Sequence, residues 1–224
     1  MTITTRSVRP ALIVLTLLSA SVATSGRAHQ VDATPGARSP APFVSLFDGT
    51  LGGWTVENTD AGNFTVRDGV LRVEGPSGWL RSDRRYEDFV LRAEFRFLTP
   101  DADSGVFVRA SSDGAFMRGW PNNSYQVQLR VPSTPSRLPP VGGIFRHGMP
   151  DGETAFDPAL VEKTFSGVGE WQTVEIDVAG ESLIVRFNGV EVTRASNVVR
   201  SAGSIGIQGE AGALEYRAIE ITER

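Results

Sequence analysis

The feature that most constrains the fold is a series of short runs in which apolar and polar residues alternate, separated by turn dipeptides. Residues 64–74 are FTVRDGVLRVE, with Asp-Gly between two alternating halves, and residues 183–195 are LIVRFNGVEVTRA, built around Asn-Gly. Both dipeptides favour hairpins, because type I′ turns need positive φ at both central residues. About ten such runs, without a long helical stripe of apolar residues, predict an all-β fold, either an antiparallel sandwich or a barrel.

The N-terminal segment has the pattern of a secretory signal peptide. Arg6 and Arg9 precede an apolar run at residues 11–23, and this run is too short to span a membrane. Small residues allow cleavage after Ala23 or Ala28. We therefore predict a signal peptide over residues 1–28 and an exported protein, periplasmic or extracellular. A retained N-terminal anchor is the alternative.

The remaining chain divides into a linker and one domain. Residues 29–42 are rich in Pro, Ala and Gly and lack apolar periodicity, which indicates a flexible linker. Residues 43–224 carry the alternating runs and form the predicted β-sandwich domain. Within it, residues 111–170 are dominated by Pro, Gly, Ser and Asp, and one strand-like run, SYQVQLRV, interrupts them. Loops this long are usually functional, so we expect them to form the walls of a binding cleft on one side of the sandwich.

Composition excludes several classes of function. The absence of cysteine excludes a disulfide framework, cysteine nucleophiles and thiolate metal sites. His29 and His147 are the two histidines, too few for a histidine-rich zinc site. Asp101, Asp103 and Asp151 could supply oxygen ligands to calcium, but their spacing matches no EF-hand. Phosphate-loop and dinucleotide motifs are also missing. We therefore predict neither a metal nor another cofactor.

The charge balance argues against nucleic acid as a partner. The formal net charge is −4, and residues 1–28 contain three arginines and no acidic residue, so their removal changes it to −7. An acidic domain lacks the cationic surface that phosphate backbones require. No segment after the N-terminal run is apolar enough to span a membrane.

Four of the strand-like runs each have one apolar face and one unusual polar face. The second faces carry Arg92, Glu94 and Arg96; Gly105, Phe107 and Arg109; Gln126, Gln128 and Arg130; and Gly206 and Gln208. If these strands pair in one sheet, those faces form a wall of amides, charged groups and an aromatic ring, which suits the hydroxyls of a sugar. An ordinary solvated sheet face is the alternative.

Six motifs occur in order between about Phe43 and Thr222. They are FVSLFDGTLGGW, FTVRDGVLRVEGPSGWLRSDRRYEDFVLRAEFRF, DSGVFVRA, SYQVQLRV, GEWQTVEIDVAGESLIVRFNGVEV and GSIGIQGEAGALEYRAIEI. Together they resemble the 3-keto-disaccharide hydrolase domain family. The resemblance implies a jelly roll of two curved antiparallel sheets, similar to concanavalin A-like lectins and glucanases. It also implies exported proteins that act on glycosides whose glucose ring carries a 3-ketone.

The resemblance can be carried over position by position. The matching residues are Glu94, Asp103, Ser104, Gly105, Phe107, Arg109, Gln126, Gln128 and Gln208. The family more often has glutamate where Gln126 stands, an acid or amide where Leu129 and Arg130 stand, and asparagine where Ala218 stands. An amide cannot take a proton, so the departure at Gln126 keeps a non-catalytic carbohydrate-binding module open as an alternative.

The chemistry of a 3-ketone suggests roles for three of these side chains. The ketone acidifies the hydrogen on C2, so a base can remove it, an enolate forms on O3, and the glycosidic oxygen leaves C1 before water adds. This route needs a base and a stabilising group near O3. We expect Glu94 to be the base, with His147 as the second candidate because it titrates near neutral pH, and Arg109 to stabilise the enolate. A cross-strand ion pair between Glu94 and Arg109 is the structural alternative.

The other site predictions concern substrate binding. They are Asp103, Ser104, Phe107, Gln126, Gln128 and Gln208, with Trp120 as a stacking platform in a loop. Trp54, Trp79 and Trp171 are expected to pack in the core. The leading hypothesis is an exported 3-keto-glycoside hydrolase or lyase whose partner is a small glycoside or oligosaccharide. The alternatives are the carbohydrate-binding module and an extracellular domain that binds another protein.

Overall fold

The computed structural model describes residues 41–111, 119–133 and 135–224. The predicted signal peptide lies outside the described residues, as does the predicted linker apart from Ala41 and Pro42. In the described ranges, no helix is both long enough and apolar enough to cross a membrane.

Short antiparallel strands make up most of the described chain, which confirms the all-β prediction. In chain order the strands are β1 (Val44–Ser45), β2 (Trp54–Glu57), β3 (Phe64–Arg67), β4 (Val70–Glu74), β5 (Trp79–Tyr86), β6 (Phe89–Phe97), β7 (Asp103–Ala110), β8 (Ser124–Arg130), β9 (Ile144–His147), β10 (Thr154–Phe156), β11 (Gln172–Ala179), β12 (Ser182–Phe187), β13 (Val190–Ala195), β14 (Gly203–Gln208) and β15 (Ala213–Glu223). A 3-10 turn spans Ala61–Asn63, and one short helix, α1, spans Pro158–Thr164. Asp157 caps α1 by accepting hydrogen bonds from the backbone N–H groups of Ala159 and Leu160.

The strands form two sheets that pack face to face as a sandwich. Among the described residues, one sheet has nine strands in the order β10-β13-β12-β11-β6-β15-β4-β3, with β1 paired to β15. The other has six strands in the order β2-β5-β14-β7-β8-β9. Asp68 and Gly69 have φ of 52° and 75°, and Asn188 and Gly189 have 47° and 82°. These positive values confirm the two predicted hairpin turns.

The hydrophobic core lies between the two sheets. Alternating side chains from facing strands fill it, among them Leu91 and Phe95 of β6, Val106 of β7, Val127 of β8 and Tyr216 of β15. Burying a side chain of this size contributes roughly 1.5–3 kcal/mol. The six-stranded sheet also has apolar residues on its outer face, where Trp79, Phe107, Ala110 and Trp120 form a second, smaller cluster.

Three of the four polar-faced strands pair in one sheet, and the fourth does not. Strand β6 lies in the nine-stranded sheet, between β11 and β15, whereas β7, β8 and β14 lie in the six-stranded sheet. Because the sheets pack through their apolar faces, Glu94 lies on the outer surface of one sheet and Gln126 on the outer surface of the other. Strand β9, which continues the six-stranded sheet beyond β8, was not predicted from the alternation of residues.

Candidate functional site

The outer face of the six-stranded sheet gathers most of the predicted binding residues. Gly105 of β7 lies opposite Gln128 of β8, and Phe107 lies opposite Gln126. Strand β14 flanks β7 on the other side and places Gly206 opposite Phe107. We call this surface, which carries Asp103, Gln126, Gln128, Gln208 and His147, the polar face.

Three buried glutamines form the centre of the polar face. The amide nitrogen Nε2 of Gln126 donates to Oε1 of Gln128 at 2.6 Å and to Oε1 of Gln208 at 2.9 Å. All three side chains are almost completely buried. Buried amides are costly unless they are hydrogen-bonded, so these three hold one another in fixed orientations.

Two carboxylates and an imidazole lie at the ends of this amide network. Nε2 of Gln128 donates to Asp103 at 2.5 Å, and Nε2 of Gln208 donates to Glu210 at 2.9 Å. On the other side, Oε1 of Gln126 lies 2.7 Å from Nε2 of His147. The network therefore connects an imidazole on β9 to carboxylates at the opposite end of the polar face.

Aromatic rings surround the histidine. The ring centre of His147 lies 6.0 Å from that of Phe145, in a stacked arrangement, 6.1 Å from that of Phe107 and 6.4 Å from that of Trp120. Trp79 meets Phe107 edge-on at 5.8 Å. Phe107 and Trp79 are completely buried, and Trp120 almost so, so these rings pack around the imidazole and limit its contact with solvent.

Burial also affects the charge of His147. Desolvation lowers the pKa of its imidazole below the usual value near 6.5. The neutral form therefore prevails at neutral pH, and a neutral imidazole can accept a proton.

Trp79 carries a buried donor that the sequence did not predict. Its indole Nε1 is buried and has no hydrogen-bond partner within the described part of the chain. An unsatisfied buried donor of this kind costs about 1–3 kcal/mol.

Gly105 gives the amide network its space. A Cβ atom at this position would lie 2.8 Å from Nε2 of Gln126, 2.9 Å from its Cγ and 2.9 Å from Oε1 of Gln208. The space beside Gly105 is therefore occupied by these two side chains.

The close approach at Gly105 gives a testable prediction. We expect Gly105→Ala to force the Gln126 and Gln208 amides apart and to lower the free energy of unfolding by about 1–3 kcal/mol, since overpacking and a strained hydrogen-bond network both destabilise. Urea denaturation measures the change. Gly62→Ala is the control, because its Cβ would meet Asp60 at an ordinary 3.4 Å. Equal stability of the two variants would contradict the prediction.

Arg109 does not lie on the polar face, contrary to the sequence prediction. Ser204 of β14 pairs with Ala110 and Gly206 pairs with Phe107, so β7 has one extra residue between these pairs. Arg109 has a φ of +50° within this bulge. A bulge interrupts the two-residue alternation, and the arginine side chain therefore leaves the face on which Phe107 lies.

The guanidinium group of Arg109 is instead a buried structural centre. It donates to the carbonyl oxygens of Glu87, Gly180 and Val199 at 2.6–3.0 Å and to the carboxylate of Asp88 at 2.9 Å. Burial lowers its pKa, and the negative charge of Asp88 opposes this effect. Arg109 therefore holds three chain segments together and is not placed to stabilise an enolate on the polar face.

Four further predictions are corrected. Glu94 forms an ion pair with Arg217 at 2.6 Å on the outer surface of the nine-stranded sheet, so it is not available as a base on the polar face. Ser104 points to the core side of β7, where its hydroxyl donates to the carbonyl oxygen of Gln208 at 2.7 Å. Trp79 and Trp171 were both expected in the core. Trp79 lies in the outer cluster, and the ring of Trp171 contacts the guanidinium groups of Arg96 and Arg217 on the nine-stranded sheet.

The structure thus brings seven of the predicted residues together. They are Asp103, Phe107, Trp120, Gln126, Gln128, His147 and Gln208. Three residues of this surface were not predicted to belong to it: Glu210, Phe145 and Trp79. Two of these had a local signal, because Glu210 follows Gln208 by two residues and Phe145 precedes His147 by two. Among the described residues, no cluster of three His, Cys, Asp or Glu side chains suits a metal ion.

In fold, this two-sheet antiparallel sandwich is glycosyl hydrolase-like, because solved structures described as glycosyl hydrolases share it. The model of the 3-keto-alpha-glucoside-1,2-lyase-like domain family matches residues 42–222. The chain therefore belongs to that family, as the motifs predicted.

Solved structures agree on the fold. A presumed glycosyl hydrolase from Parabacteroides distasonis is 20% identical, with a TM-score of 0.62, and the match covers 82% of this chain and 100% of that one. A second presumed glycosyl hydrolase from the same organism is 17% identical, with a TM-score of 0.62 and coverage of 81% and 94%. The carbohydrate-binding module CBM66 from Bacillus subtilis is 11% identical, with a TM-score of 0.52 and coverage of 81% and 100%. Comparison with curated proteins gave no match.

Proposed function

We propose that this protein cleaves the glycosidic bond of 3-keto-glycosides by deprotonation at C2, elimination and hydration, and that the polar face binds the sugar. The observation that carries the proposal is the position of His147, which lies among aromatic rings and is hydrogen-bonded to the Gln126 amide. It is a titratable group on the same surface as the amides. Membership of the 3-keto-alpha-glucoside-1,2-lyase-like domain family supports the substrate class.

The corrected geometry makes His147 the proposed base. It takes the proton from C2, and the resulting enolate carries negative charge on O3. The C1–O bond then breaks, the aglycone leaves with a proton, and a double bond forms between C1 and C2. Water adds to C1 and a proton returns to C2, so the net reaction is hydrolysis.

In this proposal, neutral amide N–H donors stabilise the enolate oxygen. Gln128 and Gln208 each have two amide hydrogens, of which the carboxylates of Asp103 and Glu210 take one. Donors fixed in a buried network need no reorganisation as charge develops, which is the condition for electrostatic stabilisation of a transition state. This arrangement replaces the role that the sequence analysis gave to Arg109.

A deuterium experiment tests the reaction. The purified protein is incubated in D₂O with a chromogenic 3-keto-glucoside, and NMR follows the product. We expect release of the aglycone together with one deuterium at C2 of the released sugar. Free 3-ketoglucose incubated alone gives the background exchange. Release without deuterium above this background would exclude the elimination route.

A carbohydrate-binding module without activity is the second candidate, and the site itself supports it. Gln126 stands where the family more often has glutamate, and its amide is hydrogen-bonded at both ends. Two of the three predicted catalytic groups, Glu94 and Arg109, lie away from the polar face. This candidate predicts that calorimetry detects binding of a glycoside without release of the aglycone.

We also propose that the protein is exported, with residues 1–28 as a cleaved signal peptide. The support is the sequence pattern of that segment. Mass spectrometry of the protein recovered from the periplasm or the medium tests this directly. A mature N-terminus after residue 23 or 28 is expected, and an uncleaved protein held at the membrane would favour the retained anchor.

A further inference from the structure

In the amide network of the polar face, all hydrogen bonds run in the same sense from donor to acceptor. Each of its hydrogen bonds joins an N–H donor to an oxygen acceptor, and the donors all point away from His147. From Gln126 the network divides into two arms, one through Gln128 and the other through Gln208.

The carboxylates at the ends of the arms determine that direction. An ionised carboxylate can only accept hydrogen bonds. Gln128 must therefore turn its NH₂ group towards Asp103, and Gln208 must turn its NH₂ group towards Glu210. In each glutamine the oxygen Oε1 then points the other way, towards Gln126.

The oxygens of Gln128 and Gln208 in turn determine the orientation of Gln126. Two acceptor oxygens, from Gln128 and Gln208, face one end of its side-chain amide at 2.6 and 2.9 Å. That end must be the NH₂ group, which has two hydrogens to donate. The oxygen Oε1 of Gln126 is consequently the atom that lies 2.7 Å from Nε2 of His147.

We infer that Asp103 and Glu210, acting through the three glutamines, fix His147 as the tautomer that carries its proton on Nε2. An oxygen acceptor 2.7 Å away requires an N–H donor at that ring position. In the neutral imidazole the lone pair then belongs to Nδ1. Gln126, Gln128, Gln208 and the two carboxylates are thus positioning residues for the histidine.

The inference rests on the proposed function for its catalytic meaning. If His147 is the base, Nδ1 is the atom that accepts the proton from C2. It also explains how an amide can serve at position 126. Glutamine joins the arms to the histidine because it both donates and accepts, whereas a carboxylate could not donate to Gln128 or Gln208.

The two arms give the network redundancy. Either carboxylate alone still orients one glutamine, and that glutamine still orients Gln126. Loss of both carboxylates removes the constraint on amide orientation, because each amide group can then rotate by about 180° and exchange its O and NH₂ positions at little energetic cost. This predicts different behaviour for single and double variants.

Nitrogen-15 NMR of the imidazole ring tests the inference without reference to activity. In the full-length protein, a spectrum of the His147→Asn variant assigns the signals, since the sequence contains one other histidine, His29. At neutral pH we expect a single tautomer protonated on Nε2. A histidine protonated on Nδ1 in the unmodified protein would overturn the inference.

The variants test the role of the carboxylates. Asp103→Asn and Glu210→Gln should each keep the Nε2–H tautomer, and the double variant should show a mixture. Glu94→Gln, on the other sheet, is the matched control and should leave the imidazole signals unchanged. A double variant that folds and keeps a single tautomer would overturn the role of the carboxylates.

The outcomes of the two proposals are separable. If the protein shows the expected tautomer but releases no aglycone, the proposed function fails and the tautomer inference stands. If aglycone release requires His147 but the proton lies on Nδ1, the function stands and the inference fails.

Discussion

Replacing His147 with asparagine is expected to lower kcat for a 3-keto-glucoside by about 10²- to 10⁴-fold, the usual contribution of a positioned general base. Asparagine keeps an N–H donor for Gln126 and removes the group that accepts the proton. Sugar binding should persist, because the rest of the polar face is unchanged in this variant. Steady-state kinetics with a chromogenic substrate measures kcat, and calorimetry measures binding.

Glu94→Gln is the control for this experiment. It removes the carboxylate that the sequence suggested as the base, but its ion pair with Arg217 lies on the opposite outer surface. We expect kcat to be unchanged in this variant. A large loss in Glu94→Gln, with little loss in His147→Asn, would contradict the assignment of the base.

The pH profile provides a second signature of the same histidine. Burial lowers the pKa of His147, so protonation removes the base only below the usual value near 6.5. The ratio kcat/KM should therefore be level at neutral pH and fall as the solution becomes more acidic. Stability should fall in the same direction, because the unfolded chain binds the proton more readily than the folded one. Both effects should disappear in His147→Asn.

Arg109→Met is expected to lower the free energy of unfolding by about 3–5 kcal/mol, the cost of breaking a buried ion pair by removing one partner. The variant leaves Asp88 without its closest cation and removes donors from the carbonyl oxygens of Glu87, Gly180 and Val199. Guanidinium chloride denaturation measures the loss.

Arg217→Met is the matched control for Arg109→Met. Its guanidinium pairs with Glu94, and the two side chains are 46% and 36% exposed, so we expect a change of about 0–1 kcal/mol. If Arg109→Met cost no more than this control, Arg109 would not be the structural centre that its contacts indicate.

Local pattern was sufficient to predict the strands and their turns. Alternation depends on the two-residue repeat of a strand, and the Asp68-Gly69 and Asn188-Gly189 turns depend on backbone conformations that few residues adopt. The same alternation placed Gln126, Gln128, Gln208 and Phe107 on polar sides of their strands. These properties belong to neighbouring residues, so they can be inferred without knowing the rest of the fold.

Pairing between distant strands could not be inferred in this way. Glu94 has the same local pattern as Gln126, yet β6 pairs with β11 and β15, whereas β8 pairs with β7 and β9. Every antiparallel strand with one apolar face can join either sheet of a sandwich. The choice depends on connections and packing over the whole domain.

The positions of Arg109 and Gln126 both depend on contacts beyond their own strands. A single extra residue in β7 turns Arg109 away from Phe107, and the run contains no residue that indicates the bulge. The partners of Gln126 on β14 and β9 could not be known from its own strand. The contacts with Gln208 and His147 exist only when four strands lie side by side.

The sequence by itself determined the all-β class, the hairpins, the family and the polar composition of three strands that form the site. These depend on short-range geometry and on ordered motifs. The tertiary structure decided which of the polar residues meet: it places Glu94 and Arg109 away from the polar face and joins His147 to the amide network. The physical reason is that a hydrogen-bond network depends on distances of about 3 Å between strands, and such distances are set by sheet order and register.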